Sequence, residues 1–81
     1  MLSAGQIRGA RALLGWSQAE LVSKTKLSPT TIKRMESDDV GPQRSSAGNV
    51  QTVERVFMDA GIAFIAQNGG GPGVRLAKPI E

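Results

Sequence analysis

Two short helices and the tight turn between them are encoded by residues 18–36, which read Gln18-Ala19-Glu20-Leu21-Val22-Ser23-Lys24-Thr25-Lys26-Leu27-Ser28-Pro29-Thr30-Thr31-Ile32-Lys33-Arg34-Met35-Glu36. Ser17 is placed to cap the first helix, and Glu20 completes a capping box with it. Ser28 is placed to cap the second helix, where Pro29 takes the first helical position. We therefore predict helices over residues 18–25 and 29–36.

The two predicted helices have separate apolar and polar faces. Five apolar residues fall where both helices can face a shared core: Leu21, Val22, Leu27, Ile32 and Met35. Four others are left on the outward side of the second helix: Pro29, Thr30, Lys33 and Arg34. A tight turn crosses its helices at a steep angle, so the exposed second helix can enter a DNA major groove. There an arginine can pair with guanine, and a threonine can reach a base edge or a thymine methyl group.

The residues before this segment predict another helix. Ser3 and Gln6 form a capping box, and the apolar residues on either side fit a hydrophobic staple. Gly15 stands where such a helix would end. We predict this helix over residues 4–14.

The residues after the segment predict a loop, a fourth helix and a hairpin. Residues 37–48 are rich in turn formers. Asn49 offers an N-cap for a helix that runs to Ala60. Its predicted buried stripe consists of Val50, Val53, Phe57 and Ala60. Residues 62–66 and 73–76 resemble strands on either side of a glycine-rich loop, which indicates a β-hairpin.

These elements predict a mostly α fold, namely a compact bundle of four to five helices with a short C-terminal β-hairpin. We expect residues 1–61 to form the functional helical domain. Residues 62–81 would be a hairpin tail that belongs to the same domain. The chain has 81 residues, which leaves no room for a second domain.

Composition narrows the range of functions. The chain contains no cysteine and no histidine, so the commonest general base, metal ligand and nucleophile are missing. We therefore predict no catalytic site, no metal and no cofactor. The lack of cysteine fits a reducing compartment, so we expect a cytoplasmic protein. The net charge of +3 favours a polyanionic partner, and no apolar run is long enough to span a membrane.

Several residues of the central segment fall in one register: Gln18, Leu21, Leu27-Ser28, Thr31-Ile32 and Glu36. In identity and spacing they resemble the XRE/Cro-like helix-turn-helix family of phage-repressor-type transcriptional regulators. The resemblance extends over roughly residues 4–60. It implies a lambda-repressor-like domain, usually dimeric, that binds double-stranded DNA and regulates transcription in bacteria or phages.

Two positions depart from the family pattern. Lys26 stands where the family usually has glycine, and a positive φ there costs a non-glycine residue about 1 kcal/mol or more. Val22 stands where the family usually has alanine, at the contact between the two helices. We expect these departures to affect the crossing angle of the helices and not the motif itself.

The resemblance also implies a set of DNA contacts: Gln18, Ser28, Pro29, Thr30, Thr31, Lys33, Arg34, Gln43 and Arg44. Gln18 would bind a phosphate from the start of its helix. Arg34 would read a base, whereas Lys33 and Arg44 would follow the DNA backbone. Ser28 is explained equally well as a helix cap and as a phosphate ligand.

Two further groups of residues are predicted to hold the assembly together. Arg11 and Glu36 match a structural ion pair of the family, between the first helix and the end of the second motif helix. The tail would supply the contacts of a homodimer: Ile62, Phe64, Ile65, Val74 and Leu76. Its first strand is apolar on both faces, and the helices of one chain can cover only one of them.

Three classes of function follow, in decreasing order of support. The first is a sequence-specific DNA-binding regulator, in the simplest case a repressor that occupies a palindromic operator. The second is a DNA-binding antitoxin or other module that binds a partner protein on the same fold. A stoichiometric protein partner recovered from native extract would favour this second reading. The third is an enzyme. It has the least support, because the carboxylates of the chain show neither an acid–base nor a metal-ligand spacing.

Overall fold

The structure is a computed structural model and describes residues 2–67 and 69–77. Parts of the predicted hairpin loop and tail, at Asn68 and residues 78–81, lie outside the described residues. The helices are α1 (Ala4–Leu14), α2 (Gln18–Thr25), α3 (Pro29–Met35) and α4 (Ala47–Asp59), with a short 3₁₀ helix at Pro42–Arg44. The strands β1 (Ile62–Ile65) and β2 (Gly73–Leu76) form a two-stranded antiparallel sheet. The fold is compact and mostly helical, as predicted.

The predicted helix starts of α1, α2 and α3 are confirmed. The Ser3 side chain accepts the backbone N–H of Gln6 at 3.1 Å, and the Gln6 side chain accepts the backbone N–H of Ser3 at 2.8 Å. Ser17 and Glu20 form the same reciprocal pair at the start of α2. Each box satisfies backbone donors that have no partner within the helix. Ser28 caps α3 with Pro29 at the first position.

The second half of the chain departs from prediction in three places. α4 begins at Ala47, because Ser46 caps it and accepts the backbone N–H of Asn49. Asn49, the predicted cap, instead lies in the first turn and donates from its side chain to Ser45. The predicted loop contains the 3₁₀ helix, and Ala60 is exposed although we expected it to be buried.

One hydrophobic core joins the four α-helices to the sheet. Its fully buried side chains include Ile7, Leu21, Ile32, Met35, Val53 and Phe57. Trp16 stacks on Phe57 with ring centroids 5.5 Å apart, and Phe64 of β1 meets Phe57 edge-on at 6.0 Å. The ammonium group of Lys24 covers the Trp16 ring at 4.9 Å. An aromatic cluster therefore links the α1–α2 junction to α4 and to the hairpin.

The register of the sheet shows on which face each of the predicted dimer contacts lies. Ile62 pairs with Leu76, and Phe64 pairs with Val74, so these four side chains share one face. That face packs on the chain's own core, where Ile62 is only 2% exposed. Ile65 lies on the opposite face and is 41% exposed. Of the five predicted interface residues, only Ile65 is therefore on the outward face.

Two contacts from α1 hold the hairpin in place. The buried Gln6 side chain donates from Nε2 to the carbonyl oxygens of Ile65 and Gly73, at 3.1 and 2.9 Å. At Gly9, an added Cβ would lie 3.0 Å from a methyl carbon of Val74, so glycine permits the close approach of β2 to α1. The hairpin is thus part of the folded unit and not an appended tail.

The turn between α2 and α3 contains the strained residue predicted from the sequence. Lys26 adopts φ 60° and ψ 21°, the left-handed conformation, while its backbone N–H donates to the Val22 carbonyl at 2.8 Å. A side chain in this conformation is unfavourable for an L-residue. Glycine at this position would relieve that cost.

We therefore expect Lys26→Gly to raise the free energy of unfolding by about 0.5–1 kcal/mol, since relief of strain exceeds the added entropy of the unfolded chain. Urea denaturation with an unchanged m-value would measure it. Lys24→Gly is the control inside α2, where the lost helix propensity and the lost contact with the Trp16 ring should together lower stability by at least about 1 kcal/mol. A loss of stability in both variants would show that Lys26 is not strained.

Candidate functional site

The outward side of α3 is polar and exposed, whereas its inward side lies in the core. Pro29, Thr30, Lys33 and Arg34 are all exposed. On the opposite side of the same helix, Ile32 and Met35 are fully buried. Because a helix places residues three and four apart on one side, these two anchors fix which way the other four side chains point.

A buried ion pair fixes the end of α3. Glu36 follows the last residue of α3, and its carboxylate accepts two hydrogen bonds from Arg11 of α1, each of 2.7 Å. Its side chain is 4% exposed, and that of Arg11 is 21% exposed. Arg11 also donates to the backbone carbonyl of Trp16 at 3.1 Å. The structure thus brings together the two charges that the sequence pattern paired.

Gln18, at the first position of α2, joins the same group. Its Nε2 donates to Oε1 of Glu36 at 3.2 Å. The carboxylate therefore accepts hydrogen bonds from two different helices while it terminates a third. This bond uses only one hydrogen of the Gln18 side-chain amide. The second amide hydrogen and the side-chain carbonyl oxygen are available for an external ligand.

The ion pair also affects the titration of Arg11. Hydrogen bonding and charge attraction from Glu36 raise the pKa of the Arg11 guanidinium, although partial burial acts in the opposite direction. A raised folded-state pKa stabilises the fold at every pH below the ordinary arginine value. That contribution is lost only as the pH rises through the raised pKa. Arg11 is therefore charged throughout the physiological range.

Ser28 and Thr31 face each other at the start of α3. The Ser28 side chain accepts the backbone N–H of Thr31 at 3.1 Å, and the two hydroxyl oxygens lie 2.8 Å apart in a hydrogen bond. The cap interpretation of Ser28 is thus satisfied in the structure. Both hydroxyl groups are engaged with each other at this helix end.

A cleft of about 510 Å³ separates α3 from the 3₁₀ helix, and its lining includes Thr31, Arg34, Arg44 and Ser45. Two cationic side chains from different elements therefore border one depression. Gln43 is exposed but lines a different cleft, together with Gln6 and Gly73. Of the two predicted loop contacts, the structure brings Arg44 to the α3 cleft and does not bring Gln43 there.

The charged side chains within α3 itself, Lys33 and Arg34, are both cationic. Neither Lys33, Arg34 nor Arg44 forms an ion pair with any residue in 2–67 or 69–77. Of the acidic groups nearby in sequence, Glu36 binds Arg11 and Asp38 pairs with Arg8 at 3.1 Å, whereas Asp39 is exposed and forms no ion pair within the described residues. The exposed face of α3 is therefore left with a net positive charge.

Sequence reasoning missed the role of Arg8. Its Nη1 donates to the backbone carbonyl of Glu36 and to Oδ1 of Asp38, so α1 holds both the end of α3 and the loop beyond it. Asp38 is 30 residues away from Arg8, and no local periodicity relates them. Only the placement of α1 against this loop reveals the contact.

Among the described residues, no three or more carboxylate, histidine or cysteine side chains come together in a way that could hold a metal ion. No helix in residues 2–67 or 69–77 combines the length and apolar character needed to cross a membrane. Comparisons with protein-family models, curated proteins and solved structures found no match to this chain.

The buried pair makes a direct prediction for stability. We expect Glu36→Ala to lower the free energy of unfolding by about 2–4 kcal/mol, because it leaves the partly buried Arg11 without its partner. Arg11→Ala should be similarly harmful, and the double variant should cost less than the sum of the two.

Thermal and urea denaturation of the three variants would measure this coupling. Asp38→Ala provides the control, since it removes a carboxylate from the exposed Arg8–Asp38 pair and should change stability by less than about 1 kcal/mol. Equal effects of Glu36→Ala and Asp38→Ala would contradict the structural role of the buried pair.

Proposed function

We propose that this protein is a sequence-specific DNA-binding regulator in which α2 and α3 form a helix-turn-helix motif. One observation carries the proposal: α3 exposes a polar, cationic face while its opposite side is locked into the core and its end is held by a buried ion pair. A recognition helix needs both an exposed face and a fixed orientation relative to the rest of the domain.

In this proposal α3 lies in the major groove. Arg34 pairs with guanine O6 and N7, and Lys33 neutralises a phosphate. Arg44 follows the DNA backbone on the far side of the α3 cleft, which it borders together with Arg34. Gln18 keeps its bond to Glu36 and uses its remaining amide groups on a phosphate. The simplest mechanism of regulation for such a DNA-binding domain is repression by occupation of a promoter.

The proposal includes a homodimer that binds a palindrome. One recognition helix reads only a few base pairs, and a two-fold dimer doubles the contacts with helices about 34 Å apart. The outward face of the sheet, where Ile65 is exposed beside Ala63 and Arg75, is the surface that we assign to this contact. We leave the inward residues of the hairpin out of this surface, because Ile62 is buried in the core and the other three side chains pack against it.

Selection of bound duplexes from a random pool tests the function. Enrichment of a palindrome with half-site centres about 10–11 base pairs apart is the expected result. If no sequence is enriched and binding at low salt is weak, the protein is not a sequence-specific DNA-binding regulator.

The two cations of α3 should respond differently to removal. Arg34→Ala is expected to weaken binding to the selected site by about 1–3 kcal/mol and to relax preference at one base pair. Lys33→Ala should weaken all sequences alike and reduce the salt dependence by about one unit of slope. Titrations at several salt concentrations would measure both. Arg55→Ala, an exposed arginine on α4, is the control for loss of charge alone.

The assigned dimer surface can be tested without disturbing the core. Ile65→Glu places a charge on the exposed face of β1 and should convert the dimer to a folded monomer with weak operator binding. Sedimentation would report the mass, and circular dichroism would report the fold. Ile62→Glu is the contrasting variant, since it charges a buried position and should unfold the chain. Retention of the dimer in Ile65→Glu would place the interface elsewhere.

A further inference from the structure

The turn between α2 and α3 holds its one charged residue in an unfavourable backbone conformation. Lys26 has φ 60°, whereas every other residue with a positive φ in the part of the chain that the structure describes is a glycine. Glycine adopts this conformation without steric cost, and lysine does not. Strain of this kind is concentrated at functional sites, where the rest of the structure compensates for it. The presence of a strained lysine therefore points to a task for its side chain.

The packing of this turn depends on the backbone of Lys26 and not on its side chain. The hydrogen bond to the Val22 carbonyl, 2.8 Å long, is donated by the backbone N–H, which glycine would also supply. The side chain is exposed and forms no ion pair with any residue in 2–67 or 69–77. Lys24 differs, because its ammonium group covers the Trp16 ring at 4.9 Å. The Lys26 ammonium is thus a charged donor at the surface that the fold leaves available.

The stretch around Lys26 carries charges of one sign. Residues 21–35 contain four cations, Lys24, Lys26, Lys33 and Arg34, and no acidic residue. The carboxylates at either end of this stretch accept hydrogen bonds within the fold. A polyanion is therefore the partner that the stretch favours, and Lys26 extends the cationic character of α3 into the turn before it.

Lys26 lies close to the start of the helix that we propose for the major groove. It precedes Pro29, the first residue of α3, by three residues, so the two Cα atoms are within about 11 Å of each other. The first turn of a recognition helix lies next to the base edges, in a groove about 12 Å wide that a phosphate backbone borders on each side. The ammonium group of a lysine, on its flexible four-carbon stem, can therefore reach a phosphate from this turn.

On the basis of the proposed function, we infer that Lys26 binds a phosphodiester of the DNA backbone beside the start of α3, and that the strain in the turn is tolerated for this contact. In the proposed complex, Arg44 contacts the backbone beyond the end of α3, so phosphates hold the helix at both of its ends. The contact stabilises the complex with any sequence and does not select a base. Stability of the free protein and affinity for DNA are therefore opposed at this residue.

Lys26→Gly should move stability and DNA affinity in opposite directions. Its urea midpoint should rise, because the strain is relieved. On the consensus duplex recovered by selection, its affinity should fall about three- to ten-fold at about 0.1 M salt, and the slope of log affinity against log salt should become smaller by about one unit. A duplex without the consensus should lose affinity by the same factor. Urea denaturation and titrations at several salt concentrations would measure these effects.

Three further variants identify the charge as the cause. Lys26→Asn removes the charge but keeps a side chain that tolerates a positive φ, so it should lose as much affinity as Lys26→Gly although its backbone is less flexible. Lys26→Arg keeps the charge and should retain both the affinity and the slope. Arg55→Ala removes a charge from α4, outside the proposed interface, and should leave the slope unchanged. Circular dichroism would verify that each variant is folded.

The outcomes separate this inference from the proposed function. Wild-type affinity and salt slope in both Lys26→Gly and Lys26→Asn would overturn the inference and leave DNA recognition intact. A loss confined to the consensus duplex would also overturn it, since the residue would then act on base recognition. So would a lower urea midpoint of Lys26→Gly, because the lysine would not be strained. Failure to recover any consensus would overturn the proposed function itself.

Discussion

The arrangement of the helices depends above all on the buried carboxylate of Glu36. It accepts hydrogen bonds from Arg11 of α1 and from Gln18 of α2 while it terminates α3. A carboxylate withdrawn from water is very costly unless charge and hydrogen bonds replace its hydration. The three helices must therefore meet at one point for the group to be satisfied. Apolar packing alone tolerates small shifts between helices, whereas this cluster of directed bonds does not.

The sheet extends the same rigid unit towards the other end of the chain. Ile62 completes the core, and the aromatic rings of Trp16, Phe57 and Phe64 connect three separate segments through stacked and edge-on contacts. Because the helices and the sheet share one core, the exposed side of α3 belongs to a single packed unit. Such a unit suits recognition in which a few side chains must meet fixed positions on a partner.

Local signals explain why much of this fold was predictable. The caps Ser3, Ser17 and Ser28 act within three residues of themselves, so their pattern in the sequence determines the helix starts directly. The pairing of Arg11 with Glu36 could be expected only from a resemblance to a family pattern. Competing signals misled the prediction for α4, because Ser46 and Asn49 both suit an N-cap, and in the structure it is Ser46 that accepts the backbone N–H of Asn49. The alternation of residues predicts which side chains of one strand share a face. It does not predict which face of β2 meets the core; the pairing of β2 with β1 places Val74 and Leu76 there.

The two hydrogen bonds from Gln6 to the hairpin have a consequence for the synthesis of this chain. They join residues separated by 59 and 67 positions, so the first helix acquires its final partners only after nearly the whole described sequence has been made. A nascent chain that ends with α4 has neither Ile62 for its core nor the carbonyl groups of Ile65 and Gly73 for the Gln6 amide, which water hydrates until the hairpin covers it. The helices can form early, because their capping bonds are local. The native packing of α1 against the hairpin is a late event that follows release of residue 73 from the ribosome.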